Sequence, residues 1–359
     1  MNMKAPGHEP FDAPLRRVYW EVTTGCNLRC LHCRRTEALY KPSPEELTGD
    51  EARGLVDDLA AMGKPVLILS GGEPLFRKDI LGIAAHAHGR GLPLGIATNG
   101  TLVNADKARA IVQAGIRYAS ISLDGSIPTT HDALRGKGNY SRALRGFFAL
   151  RDAGIKVQIN VTVTRRNVGE VEEVYALARD FGASALYLFL LVPVGCGVKI
   201  ADTDMLSPRD VEKWLRWTVG KDRDPMLPIK TICAPHFYRV RAESVEGAGA
   251  RRAAAQERQG CLAGIHMCFI SHKGDVFPCG YLPVSCGNVR QTPLREIWEN
   301  SETLRKLRDP GLLGGRCGVC SFKTICGGCR ARAYYAADDF LAEEPACAFN
   351  PDAAPATTA

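Results

Sequence analysis

The 359-residue sequence predicts an α/β protein: a partial (β/α)6 TIM-like barrel followed by a small cysteine-rich domain. Three observations predict it. Between positions 18 and 192, short β-rich runs alternate with stretches of helical apolar period, as repeated βα units around a parallel sheet require. Several helical stretches end at a glycine (Gly63, Gly115, Gly154, Gly182), the residue that most readily takes the left-handed conformation closing a helix. Nine of the 14 cysteines fall between Cys261 and Cys347, so the C-terminal part follows a different rule.

Taken in order, positions 1–17 form an N-terminal extension and 18–225 the barrel. Its six strand candidates are 18–22, 66–70, 94–98, 118–123, 156–163 and 185–191, with amphipathic helices at 50–62, 105–114, 140–153 and 170–181. Right-handed crossovers curl such units so that the reactive groups gather at the strand C-termini. Positions 226–260 read as a linker, whose Gly-Ala-Arg-rich stretch 241–259 suits a mobile segment or an exposed helix acting as a lid. Cysteine-rich residues 261–349 follow, then an Ala-Pro-Thr-rich tail, 350–359, of disordered composition.

Directly after the first strand lies Cys26-Asn-Leu-Arg-Cys30-Leu-His-Cys33. Three thiolates are one too few for a 4Fe-4S cube, so one iron keeps an open position where a small molecule can bind. A zinc knuckle or a disulfide loop instead needs a tetrahedral or even ligand set, and His32, inside the two-residue spacer, is poorly placed to complete it. This spacing resembles the radical S-adenosylmethionine (SAM) superfamily. The resemblance implies that SAM chelates the open iron and is cleaved by an electron from the cluster to methionine and a 5'-deoxyadenosyl radical, making Cys26, Cys30 and Cys33 the catalytic ligands.

Later strand ends add to the likeness. Gly71-Gly72-Glu73-Pro74 follows the second strand; glycines permit close backbone approach and Glu73 can accept from an amino group. It resembles the family's GGEP motif, which holds the SAM amino group. Thr98-Asn99-Gly100 and Ser122-Leu-Asp124-Gly125, after the third and fourth strands, resemble its TNG and SLDG segments, which implies that Asn99, Ser122 and Asp124 contact the ribose or methionyl part. His32 is similar to the ring residue the family packs near the adenine. Each motif alone is also an ordinary turn; four in the expected order are specific.

The second cysteine field is too dense for a reduced compartment unless it binds metal. Gly274 five residues before Cys279, Cys317-Gly-Val-Cys320 and Cys326-Gly-Gly-Cys329 resemble the SPASM extension, which carries auxiliary 4Fe-4S clusters. By order, the resemblance implies that Cys261, Cys268, Cys279 and Cys329 hold one cluster and Cys317, Cys320, Cys326 and Cys347 the other. Two residues separate Cys326 from Cys329 where the pattern has three, and Cys286 is spare. Such clusters accept electrons, which favours an oxidative reaction.

A formal net charge of +7 suits an anionic substrate, and no basic run with interleaved aromatics marks a nucleic-acid footprint. No apolar stretch is long enough to span a membrane and no signal peptide opens the chain, so a cytoplasmic protein without membrane or nucleic-acid partners is expected. The segments 189–194 and 231–239, with Cys268-Phe-Ile-Ser-His272, are similar to the tetrapyrrole branch of the SPASM enzymes, in particular haem b synthase of the sirohaem-dependent pathway. That likeness implies oxidative decarboxylation of two propionates of iron-coproporphyrin III to vinyl groups, one SAM each, with a ferredoxin or flavodoxin as donor. On it, Arg239 pairs with a propionate and His236, or else His272, approaches the iron. The competing readings are a ribosomal-peptide maturase, whose usual N-terminal recognition module has no room before Cys26; another tetrapyrrole enzyme, such as a didecarboxysirohaem deacetylase; and a non-catalytic iron-sulfur carrier, which would make no 5'-deoxyadenosine.

Overall fold

A computed structural model describes residues 13–36, 41–222, 224–244 and 260–351. Seven strands lie side by side in chain order, each pair parallel: β1 (Arg17–Glu21), β2 (Val66–Ser70), β3 (Leu94–Thr98), β4 (Tyr118–Ser122), β5 (Lys156–Val163), β6 (Ala185–Leu190) and β7 (Ile229–Ile232). The six expected strands are all present. The seventh, inside the expected linker, extends the sheet by one. Most of the stretch read as a lid, 245–259, lies outside the described residues, as do 352–359 of the tail.

Helices α1 (Gly49–Ala61), α2 (Ile80–Gly89), α3 (Ala105–Gln113), α4 (Pro128–Arg135), α5 (Asn139–Asp152) and α6 (Val171–Asp180) connect the strands, and the short α7 (Ala201–Asp204) and α8 (Pro208–Lys221) lead into β7. Local chemistry sets their ends. Thr48 caps α1 through a reciprocal box with Glu51, at 3.3 Å for the Glu51 amide to the Thr48 hydroxyl and 2.7 Å for the return bond. Gly115 at φ +90° and Gly154 at φ +88° stop α3 and α5 in the left-handed region.

Strand alternation divides the sheet into two faces. Along β5 and β6, Val157, Ile159, Val161, Val163, Leu186 and Leu188 are buried in one continuous core with Trp20, Leu59, Ile83, Ile111 and Phe147. The intervening Gln158, Asn160, Thr162, Tyr187 and Phe189 stay half-buried, leaving an inner face of mixed polar and aromatic side chains.

The chain after β7 returns to the same sheet. After α9 (Phe237–Glu243), β8 (Met267–Ile270) pairs parallel with β1, placing Cys268 opposite Val18, and β9 (Asp275–Phe277) and β10 (Gly287–Asn288) continue antiparallel. The sheet thus runs β10-β9-β8-β1-β2-β3-β4-β5-β6-β7. Helices α10 (Leu294–Asn300), α11 (Glu302–Arg308), α12 (Gly315–Val319) and α13 (Arg330–Ala337) complete the cysteine-rich part, which packs a second small core from Val192, Leu282, Leu307, Cys329 and Ala331.

Candidate active site

The loop after β1 is stitched to the turns after β2 and β3. The amides of Gly72 and Glu73 donate to the carbonyls of Thr23 and Gly25, both at 2.8 Å. The backbones approach so closely that a Cβ on Gly72 would stand 2.4 Å from the Gly25 oxygen, so only glycine fits. Asn99 donates from its side-chain amide to Asn27 Oδ1 at 2.9 Å and to Cys26 Sγ at 4.0 Å, while Thr101 accepts from Asn27 at 2.7 Å. On the far side, Leu31 donates to the Leu134 carbonyl at the end of α4 at 2.9 Å.

Burial pushes the Cys26 and Cys30 thiols up to about 11 and about 12, so metal-free they are protonated at neutral pH and iron must displace their protons. Arg135, absent from the sequence-based site, closes the group: its Nη1 lies 3.7 Å from Cys30 Sγ, its Nη2 3.2 Å from His32 Nε2 and its Nε 2.5 Å from Asp124 Oδ2. Burial works against an ionised Asp124, yet Arg135 and His32 outweigh it and hold the carboxyl well below the usual range. Its other oxygen accepts from the Thr162 amide at 2.7 Å. Asp124, fully buried, therefore orients Arg135 and His32. Ser122 ends β4 on the half-buried face.

Glu73 is also fully buried, with Thr98 Oγ1 at 2.7 Å and the Asn99 amide at 2.8 Å on its two oxygens. Burial pushes its carboxyl up to about 7 against those bonds. A desolvated carboxylate beside the open side of the cysteine loop is a natural acceptor for amino N–H groups.

The second cysteine field divides into groups. Cys317, Cys320, Cys326 and Cys347 line one cavity together with His236 and Phe349. His236 is 1% exposed, burial holds it neutral by lowering it to about 4, and neither ring nitrogen has a partner among the described residues. An orphaned imidazole beside four thiols is satisfied once a sulfide-bearing cluster fills the cavity. Cys261, Cys279 and Cys329 lie within electrostatic reach of one another elsewhere. Among the described residues no three Cys, His or carboxylate side chains converge as around a single ion. Spaced thiols suit a multi-iron cluster, where each binds a different iron.

The two residues expected at the substrate are both buried. Arg239 is 2% exposed, its guanidinium held by Glu212 and, at 2.9 Å, by Glu243, so its charge is already neutralised inside the protein. His236 faces the cavity lined by Cys317, Cys320, Cys326 and Cys347. Both lie on or beside α9, whose burial no local pattern announced. Sequence reading also missed Glu344, which joins the cysteine groups: its carboxylate accepts from the Cys329 amide at 2.6 Å and its own amide points to Cys317 Sγ at 3.4 Å.

The strand-end loops, the three-thiol turn and the cysteine-rich appendage together define a SAM-cleaving barrel with auxiliary clusters. Residues 20–178 match the radical SAM superfamily and 261–330 the iron-sulfur cluster-binding SPASM domain. The chain belongs to the radical SAM family with a SPASM domain, and is an enzyme that uses SAM and 4Fe-4S clusters. It is 45% identical to the AdoMet-dependent heme synthase of Methanosarcina barkeri strain Fusaro, across 94% of this chain and 97% of that protein. Identity with the protein of the same name from Nitratidesulfovibrio vulgaris strain Hildenborough is 41%, covering 93% and 92%. The crystal structure of Streptococcus suis SuiB bound to precursor peptide SuiA superposes with a TM-score of 0.74 at 16% identity, covering 94% of this chain and 76% of that one, a likeness of fold alone. No helix among the described residues is long and apolar enough to cross a membrane.

Proposed function

We propose that this enzyme makes protohaem by oxidative decarboxylation of two propionates of iron-coproporphyrin III. The observation that carries the reading is 45% and 41% sequence identity, over more than nine-tenths of both chains, with proteins named AdoMet-dependent heme synthase. Cys26, Cys30 and Cys33 hold the SAM-binding cluster, which when bound supplies the electron that turns SAM into a hydrogen-abstracting radical. Gly71, Gly72, Glu73 and Asn99 shape the pocket for the methionyl end, with His32 beside it. Each propionate gives up one hydrogen atom from the carbon next to the ring, carbon dioxide and one electron. A SPASM cluster accepts that electron, and a low-potential ferredoxin or flavodoxin in the cytoplasm serves the first cluster.

With Arg239 engaged elsewhere, the carboxylate clamp moves to the end of β1. There Arg34 and Arg35 approach Glu21 Oε1 at 2.9 and 3.0 Å, and His272 Nδ1 approaches Oε2 at 2.8 Å. Burial opposes ionisation of Glu21, but this cationic ring holds it down to about 2. Arg34 and Arg35 thus bring guanidinium groups, whose planar donors suit a carboxylate, beside the three-cysteine loop where a propionate would be held.

Anaerobic protein incubated with SAM, a reductant and iron-coproporphyrin III tests the reading by mass spectrometry. The porphyrin should lose two formic-acid equivalents, carbon dioxide plus two hydrogens each, with one 5'-deoxyadenosine per propionate. Unchanged porphyrin beside active SAM cleavage would overturn it.

A further inference from the structure

Sequence order places Cys268 with Cys261, Cys279 and Cys329, and the fold separates it from them. Cys268 sits in β8 opposite Val18, fully buried in the barrel core, and the thiol it meets is Cys286. Cys233, at the end of β7, takes its place. Its thiol hydrogen-bonds to the Cys329 sulfur and lies within electrostatic reach of Cys279, and all three pack against the small core of Val192, Leu282 and Leu307.

The backbone around Cys233 is held for this position. Cys233 has φ +57°, a left-handed conformation uncommon for a residue with a side chain and kept only where surroundings enforce it. The enforcing group is Arg332, fully buried, which donates to the Cys233 carbonyl at 2.9 Å while bonding Glu344 at 3.0 Å. Glu344 in turn accepts from the Cys329 amide. One buried ion pair therefore sets Cys233 and Cys329 relative to each other.

We propose that Cys233, together with Cys261, Cys279 and Cys329, ligates the first auxiliary 4Fe-4S cluster, and that Cys268 is a core thiol. Four thiolates occupy all four irons, so this cluster carries electrons without binding substrate directly. The assignment rests on the SPASM membership and stands whichever tetrapyrrole is the substrate.

The test uses full-length protein with Cys26, Cys30 and Cys33 all changed to Ala, so that only auxiliary clusters contribute. Iron, sulfide and the EPR spectrum of the reduced protein are compared for Cys233→Ala, Cys233→Ser and Cys268→Ala added to it. Cys233→Ala should lose one cluster's iron, or keep a cluster whose spectrum moves on adding cyanide, as an open iron would. Cys233→Ser, which preserves size and can ligate through oxygen, should alter the spectrum of a folded protein; Cys268→Ala should alter nothing. Unchanged iron and spectra in both Cys233 variants, with or without cyanide, or loss of a cluster in Cys268→Ala, would overturn the proposal.

Discussion

Arg135 brings a cation to the middle of the three-cysteine loop and touches a thiol, an imidazole and a carboxylate there. Removing it leaves Asp124 as a fully buried charge without its main partner. Arg135→Gln should lower stability by about 3 kcal/mol, read from denaturant midpoints, and make the SAM-cluster potential more negative in a redox titration. Arg135→Lys should restore the charge without the three-way geometry and recover only part of the loss. Glu73 carries a different signature. A carboxyl raised from about 4.5 to about 7 binds its proton more tightly folded than unfolded, so its contribution makes the ligand-free fold less stable as pH rises through that window. Glu73→Gln should remove a loss of about 3 kcal/mol between pH 4.5 and 7, seen as a flatter stability profile than wild type, and should weaken SAM binding. A profile parallel to wild type would mean that the Glu73 carboxyl is not raised in the fold.

Between elements, the decisive contact is the turn after β2 pressed on the loop after β1. Gly72→Ala places a methyl 2.4 Å from the Gly25 oxygen and 2.6 Å from the Thr24 oxygen, both rigid backbone. The expected result is a folded protein that fails to hold the SAM-binding cluster, measured as loss of one cluster's iron after anaerobic reconstitution. That contact was legible early, because a Gly-Gly pair at a strand end permits close approach and the motif order located it. Strands β7 and β8 were not legible as sheet partners. Each has four residues, too few for an alternation to register, and the pairing of β8 with β1 joins residues some 250 positions apart. Position alone made Arg135 invisible as well: it is one of many arginines in sequence, and only α4's approach to Leu31 aims it at Cys30.

For the whole molecule, the barrel and the cysteine-rich domain share one sheet, and a buried ion pair of the second reaches across to the first. Arg332, on α13, bonds Glu344 at 3.0 and 3.1 Å and reaches the Leu190 and Leu191 carbonyls at the end of β6, both at 3.3 Å. Arg332→Ala should cost about 3–5 kcal/mol and loosen the first auxiliary group while sparing the SAM-binding cluster. Calorimetry together with EPR of the separately reduced clusters checks both parts. The barrel, its six leading strands, the three-thiol turn and the two cysteine fields were determined by the sequence itself, because periodicity, turn chemistry and ligand spacing act over a few residues. Which thiols share a cluster, which arginines face a ligand and which are neutralised inside were decided only by the tertiary structure. Those choices depend on distances between segments far apart in the chain, as when β8 carries Cys268 into the barrel core and the end of β7 brings Cys233 to Cys329.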